Sequence, residues 1–290
     1  MVKVFMIKNN VYWLLLIAFS ASGILNAQEK ITVMSYNVRY DEAVFNEGKL
    51  KENDWVNRKD AQIKLLAYFN PDIIGMQEPF LHQVKYFEHH LSKYDWIGNG
   101  REDGKVKGEY NPVFYNRERF ELIESGTFWL SETPCQISKS WDAGYTRICT
   151  WGLFESRETQ DQFYVFNTHF DSTGANARYH SAQLINKKVK EFTNGKPVII
   201  TGDFNFNPES SAYEQLTSNG LSDSRIVSKS IPYGPKATFN AFQYHEIPKE
   251  RIDYVFVGNN IEVLSYSVLN NSYNLKFPSD HFPVLIKVQL

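Results

Sequence analysis

The stretch Val198-Ile199-Ile200-Thr201-Gly202-Asp203-Phe204-Asn205 decides how this chain is read. Its first residues are β-branched and apolar on both alternating faces, as in a strand covered on both sides, and the run then delivers Asp203 and Asn205. A carboxylate at the end of such a strand is costly unless a histidine, a cation or a metal partners it. Other strand-like runs end the same way. Ile31, Val33 and Ser35 lead by alternation to Asn37; Ile74 and Met76 lead to Glu78; Val165 and Asn167 lead to His169. Asp253 sits inside the apolar run Ile252–Val257, and Asp280-His281 directly precedes another such run. One polar strand end is an ordinary cap. Six together require a shared purpose.

Working outward, strand-like runs occupy Ile31–Val38, Asp72–Gln77, Asp95–Ile97, Pro112–Tyr115, Arg147–Phe154, Gln162–His169, Val198–Asp203, Ile252–Val257, Val263–Leu269 and Val284–Val288. Helical periodicity appears at Asp54–Phe69, Leu81–Leu91, Ala177–Phe192 and Ser211–Ser218. Strands apolar on both faces predict two packed sheets with helices outside, an α/β class. No repeat or linker interrupts residues 28–290, which are expected to form one domain.

The 290 residues are 42% apolar and 22% charged, enough to build a core, and the net charge of −2 excludes wrapping long nucleic acid by bulk charge. The N-terminus pairs Lys3 and Lys8 with an apolar run at 11–25 and the small residue Ala27, the pattern of a secretory signal peptide over 1–27. That run is shorter than the roughly 20 residues a spanning helix needs, so no stable membrane anchor is expected and the mature chain is periplasmic or secreted. Cys135 and Cys149 are the only cysteines, too few for a thiolate metal site. Export permits a disulfide between them; alternatively Cys149 is simply a small buried hydrophobe.

The motifs Ser35-Tyr36-Asn37-Val38-Arg39, Gln77-Glu78, Asn167-Thr168-His169, Gly202-Asp203-Phe204-Asn205, Arg251-Ile252-Asp253-Tyr254 and Ser279-Asp280-His281 resemble, in this order, those of the endonuclease/exonuclease/phosphatase superfamily of metal-dependent phosphoesterases. The resemblance spans essentially the whole mature chain. It implies a four-layer α/β sandwich, two mixed β-sheets flanked by helices as in deoxyribonuclease I. It also implies a hard divalent cation, Mg²⁺ or Mn²⁺, on Glu78 with Asn37 and Asp280. Asp203 would position or deprotonate the attacking water, and Asn205 would orient that water and a phosphate oxygen. His281 would contact the phosphate or carry a proton, with Asp253 fixing its tautomer.

His169 and Arg39 stand where abasic-site endonucleases carry Tyr and Asp, which points away from DNA repair and toward the deoxyribonuclease I branch. On the same resemblance Arg147 contacts phosphate and Glu109 orients His169, while Arg178, close after the 171–174 turn, is placed to reach the site mouth. The expected activity is a secreted phosphodiesterase, a nuclease or nucleotide phosphodiesterase, acting as a monomer on a phosphate ester, nucleic acid and nucleotides included. The alternative is a phosphatase or phospholipase C-type hydrolase of the same superfamily, acting on sugar or inositol phosphates or on sphingomyelin-like lipids. A catalytically dead binding module would have lost acids or histidines, and none is missing.

Overall fold

The computed structural model describes residues 29–45 and 51–290; the expected signal peptide lies outside them. The first sheet is built from β1 (Lys30–Asn37), β2 (Ile73–Gln77), β3 (Tyr94–Ile97), β4 (Val113–Asn116), β11 (Glu262–Val268) and β12 (Val284–Gln289), in the order β11-β12-β1-β2-β4-β3. The second is built from β5 (Phe120–Trp129), β6 (Ile148–Ser156), β7 (Gln162–His169), β8 (Val198–Asp203), β9 (Leu221–Asp223) and β10 (Asp253–Gly258), in the order β5-β6-β7-β8-β10-β9. Both sheets are mixed. Each holds a parallel pair, β1 with β2 and β7 with β8, among antiparallel neighbours.

A parallel pair needs a crossover, and a helix supplies each one. Helix α1 (Trp55–Phe69) joins β1 to β2, and α3 (Ala175–Thr193) joins β7 to β8. With α2 (Leu81–His90), α1 covers the first sheet: Leu65, Leu66, Val84 and Phe87 pack on Met34, Tyr36, Ile74 and Met76. With α4 (Ser211–Thr217), α3 covers the second, packing Ala182, Ile185 and Leu216 on Phe166, Ile200, Tyr254 and Phe256. Between the sheets lie Ile31, Val33, Ile73, Val165, Ile199, Val255 and Ile286. The layers therefore run helices, sheet, sheet, helices, the expected four-layer sandwich.

Two strands escaped the sequence reading. β5 is an edge strand with a bulge between Leu122 and Glu124, and its exposed Glu121, Glu124 and Ser125 blur the alternation that marks a strand. β9 is three residues long, and its Asp223 caps the short helix α5 (Ser224–Val227). Cys149 is fully buried and Cys135 is exposed, and both are free thiols. No described helix is long and apolar enough to cross a membrane.

The inner faces turn polar toward one end of the sandwich. Asn167 of β7 donates to the carbonyls of Met76 at 2.6 Å and Pro112 at 2.9 Å in the first sheet. Its Oδ1 accepts from Gln77 Nε2 at 2.7 Å and from Thr201 Oγ1 at 3.0 Å. Gly75 makes room for this bridge, since a Cβ there would stand 2.0 Å from Thr201 Oγ1.

Candidate active site

Beyond this bridge the same inner-face alternation brings Asn37, His169, Asp203 and Asp253 to one end of both sheets. Asn37 joins the sheets: its Nδ2 donates to Glu78 Oε1 and to Asp203 Oδ2, each at 2.9 Å. Glu78 follows β2 at φ 75°, Arg39 follows β1 at φ 58° and Asn205 follows β8 at φ 50°. Left-handed backbone is costly for Glu and Arg, so three adjoining site residues in this conformation mark a locally over-determined loop layer. Asn37 Oδ1 helps to hold it by accepting from the Arg39 N–H at 3.0 Å.

Glu78, Asp203 and His281 place ligand atoms within 4.8 Å of one another, all three residues buried. The two carboxylates are hard oxygen donors, so the cluster fits Mg²⁺ or Mn²⁺, while Asn37 braces them by presenting Nδ2 to both and its Oδ1 to the Arg39 N–H. Asp280 belongs to the same corner but faces Arg39, whose Nη1 lies 3.5 Å from its Oδ2.

The electrostatics separate the titrating groups. Burial pushes the Asp203 carboxyl up, and the charge of Asp253 adds to this, to about 7. Burial pushes Glu78 up too, but Arg39, His281 and the Asn37 hydrogen bond outweigh it and hold it below the ordinary carboxylate range. Burial would lower His281, yet Asp253 and Asp203 carry it well above the usual imidazole value. His169 is pushed well below that value by burial and by Arg147, and so stays neutral. The two histidines thus face one site in opposite protonation states. His169 Nε2 lies 2.9 Å from Asn205 Nδ2 and 3.4 Å from Asp203 Oδ2; His281 Nε2 lies 3.7 Å from the same carboxylate oxygen.

A cavity of about 990 Å³ opens over this floor, lined among others by Arg39, Glu42, Arg101, Glu109, Tyr145, Arg147 and Phe242. Arg147 is buried in its wall, and its Nε and Nη1 have no hydrogen-bond partner. Glu109 does not orient His169: its Oε2 pairs with Arg101 at 2.6 Å and lies 3.9 Å from Arg147, while His169 Nδ1 is buried without a partner. Arg178 also departs from expectation. Its guanidinium turns back to the Asp171 carbonyl at 2.9 Å, which ties down the start of α3 and keeps it off the cavity lining. Arg101 and Glu42 line the cavity and were missed by sequence reasoning, because a turn and a single 3-10 turn carry no periodicity to mark them.

The protein is similar to known ones along nearly its full length. It matches an endonuclease/exonuclease/phosphatase family protein of Bacteroides thetaiotaomicron at 38% identity and TM-score 0.85, over 91% of this chain and 98% of that one. A mannosyl-6-phosphatase of Bacteroides thetaiotaomicron VPI-5482 matches at 39% identity and TM-score 0.84, over 89% and 99%. Among curated relatives, the 3'-5'-exoribonuclease subunit Ccr4 of the Mycosarcoma maydis CCR4-Not complex is 23% identical over 89% of this chain but only 50% of its own length. The model of the Endonuclease/Exonuclease/phosphatase family covers residues 34–281, from inside β1 to the histidine beside Asp280. A phosphoesterase sandwich whose polar strand ends, cavity and neighbours all agree belongs to the endonuclease/exonuclease/phosphatase family.

Proposed function

We propose that this chain is an exported, divalent-metal-dependent phosphomonoesterase whose leaving group is rich in hydroxyls, a sugar phosphate above all. The charge pattern of the cavity carries the reading. Over the floor of Glu78, Asp203 and His281 stand the cations Arg39, Lys51, Arg101 and Arg147, but the rim adds the carboxylates Glu42, Glu52, Glu102 and Glu250, with Asp54 buried behind them. Hydroxyls donate hydrogen bonds to such carboxylates, whereas consecutive phosphates of a nucleic acid are repelled by them. The likeness to a mannosyl-6-phosphatase supports the same class.

Glu78 would hold the cation, with Asn37 and Asp280 beside it. When bound, Mg²⁺ or Mn²⁺ neutralises charge on the phosphoryl oxygens. Asp203 takes the proton of the attacking water, and Asn205 orients that water. His281, kept protonated by Asp253, presents Nε2–H toward the phosphate and the guanidiniums of Arg39 and Arg147 fix its oxygens, while neutral His169 accepts from Asn205 Nδ2 and holds that amide in place.

The nuclease reading keeps one observation in its favour: Phe45 and Tyr145 line the cavity while 67% and 52% exposed, offering faces on which a base stacks. The mature chain, assayed with Mg²⁺ or Mn²⁺, should release phosphate from hexose 6-phosphates faster than it cleaves dinucleotides, RNA or DNA. Faster cleavage of RNA or a dinucleotide would overturn the proposed class. Turnover that persists in excess chelator after metal stripping would overturn the metal dependence. Recovery from a bacterial culture with an N-terminus at Gln28 in the periplasm or medium checks export, and a cytoplasmic full-length chain refutes it.

A further inference from the structure

Arg39 is poised to compete with the cation that the site would hold. Its Nη1 lies 3.5 Å from Asp280 Oδ2 and 3.8 Å from Glu78 Oε2, so one guanidinium already answers two carboxylates of the metal corner. The backbone beneath it is fixed: Asn37 takes its N–H, and Gln83 Nε2 and Arg58 Nη2 donate to its carbonyl at 3.1 Å and 3.3 Å. Only the side chain is left to move. Its Nη2 donates at 2.6 Å to Oε1 of Glu42, a residue outside every motif of the family, and more weakly to the Tyr40 hydroxyl at 3.4 Å, while Nε has no hydrogen-bond partner. Glu42 is itself anchored, because it opens a short 3-10 turn capped by Asp41, and Asp41 pairs with His82 of α2 at 2.9 Å.

We infer that Glu42 is a positioning residue for the metal corner: it draws the Arg39 guanidinium away from Asp280 and Glu78, so that these accept a divalent cation while Arg39 stays within reach of the phosphate. This rests on the metal site proposed above. Without Glu42, the nearest carboxylates left to Arg39 are Asp280 and Glu78, and an entering cation must displace the guanidinium from both. Lys51, with Nζ 3.5 Å from Glu42 Oε2, balances the charge of Glu42 on its outer side.

The test is Mn²⁺ binding, read by electron paramagnetic resonance on metal-stripped protein without substrate, for wild type, Glu42→Gln, Arg39→Met and the double variant. Glu42→Gln should bind Mn²⁺ about fivefold or more weakly, and Arg39→Met more tightly than wild type. With Arg39 absent, adding Glu42→Gln should change affinity by less than about twofold, because a solvent-facing carboxylate acting at a distance is screened. Equal weakening in both backgrounds would make Glu42 a ligand or a bulk charge and overturn the inference, as would no weakening at all. A wild-type chain that binds Mn²⁺ normally while Glu42→Gln has no effect defeats this inference alone; one that binds no Mn²⁺ defeats the metal site and the inference with it.

Discussion

Asp253 Oδ2 lies 2.8 Å from His281 Nδ1, a carboxylate at the start of β10 in one sheet fixing a histidine that stands just ahead of β12 in the other. Asp253 is fully buried, and its second oxygen has no hydrogen-bond partner, so its charge is spent on the imidazole. Asp253→Asn conserves volume but removes the anion that keeps the imidazole protonated, so the ring faces the phosphate uncharged. Turnover should fall about 10²-fold or more while the melting temperature drops by only a few degrees. A variant that stays active but melts much earlier would make Asp253 a structural residue.

Stability of the metal-free protein should fall as pH rises from 6.5 to about 8. Asp203 and Glu109, both held up at about 7, keep protons in the folded chain that the unfolded chain has already released, so each loses stability as pH climbs to its folded value. His281, raised well above 6.5, contributes stability that is complete below 6.5 and is lost above it. His169 has the opposite sign, but its window closes at 6.5. Melting curves in chelator check this, and Asp203→Asn should flatten the decline. A melting temperature that climbs across this range would contradict the assignment.

Arg147→Met separates binding from folding. The guanidinium is 6% exposed and makes no hydrogen bond through Nε or Nη1, but Nε lies 3.7 Å from Asp171 Oδ2 and Nη1 3.9 Å from Glu109 Oε2. Since Asp171 keeps its backbone N–H donors and Glu109 keeps Arg101, an apolar side chain of similar length should lower the melting temperature only slightly. Its Nε and Nη1 have no hydrogen-bond partner and line the cavity wall where a substrate oxygen would sit, so kcat/KM should fall about tenfold or more, chiefly through KM. Normal kinetics with a much lower melting temperature would assign Arg147 to the scaffold instead.

Gly75→Ala should be among the most damaging small substitutions in the chain. The new methyl would meet Thr201 Oγ1 at 2.0 Å and Asn167 Oδ1 at 2.7 Å, pushing against the bridge between the sheets. Denaturant unfolding should show a loss of about 3 kcal/mol. A loss below about 1 kcal/mol would mean that the two sheets separate more easily than this packing implies.

Alternation leads along β1 to Asn37 and along β7 to His169 because those strands continue straight into the site, but the line Ile74–Met76 faces the helices, and Glu78 enters the site only through the left-handed turn at its own backbone. Alternation could not reach Arg101 or Glu42, whose positions depend on how turns fold back over the strand ends. The same limit misled the reading of Glu109: its distance along the chain from His169 says nothing of Arg101, which the 100–110 hairpin turns toward it at 2.6 Å. Edge strand β5 was lost for a related reason, since half of its side chains face solvent and dilute the apolar period.

Asn167 gives the sandwich the character of a doweled joint. Two apolar slabs slide over one another at little cost, since dispersion has no preferred alignment, but three directional bonds at one residue across the seam resist shear. The halves of the active site ride on different slabs, so this dowel keeps their gauge constant. Heat or pressure that loosens the aliphatic filling should leave the spacing between Asn37 and Asp203 unaltered until the joint itself gives way, and the enzyme should then lose its activity and its fold in a single step.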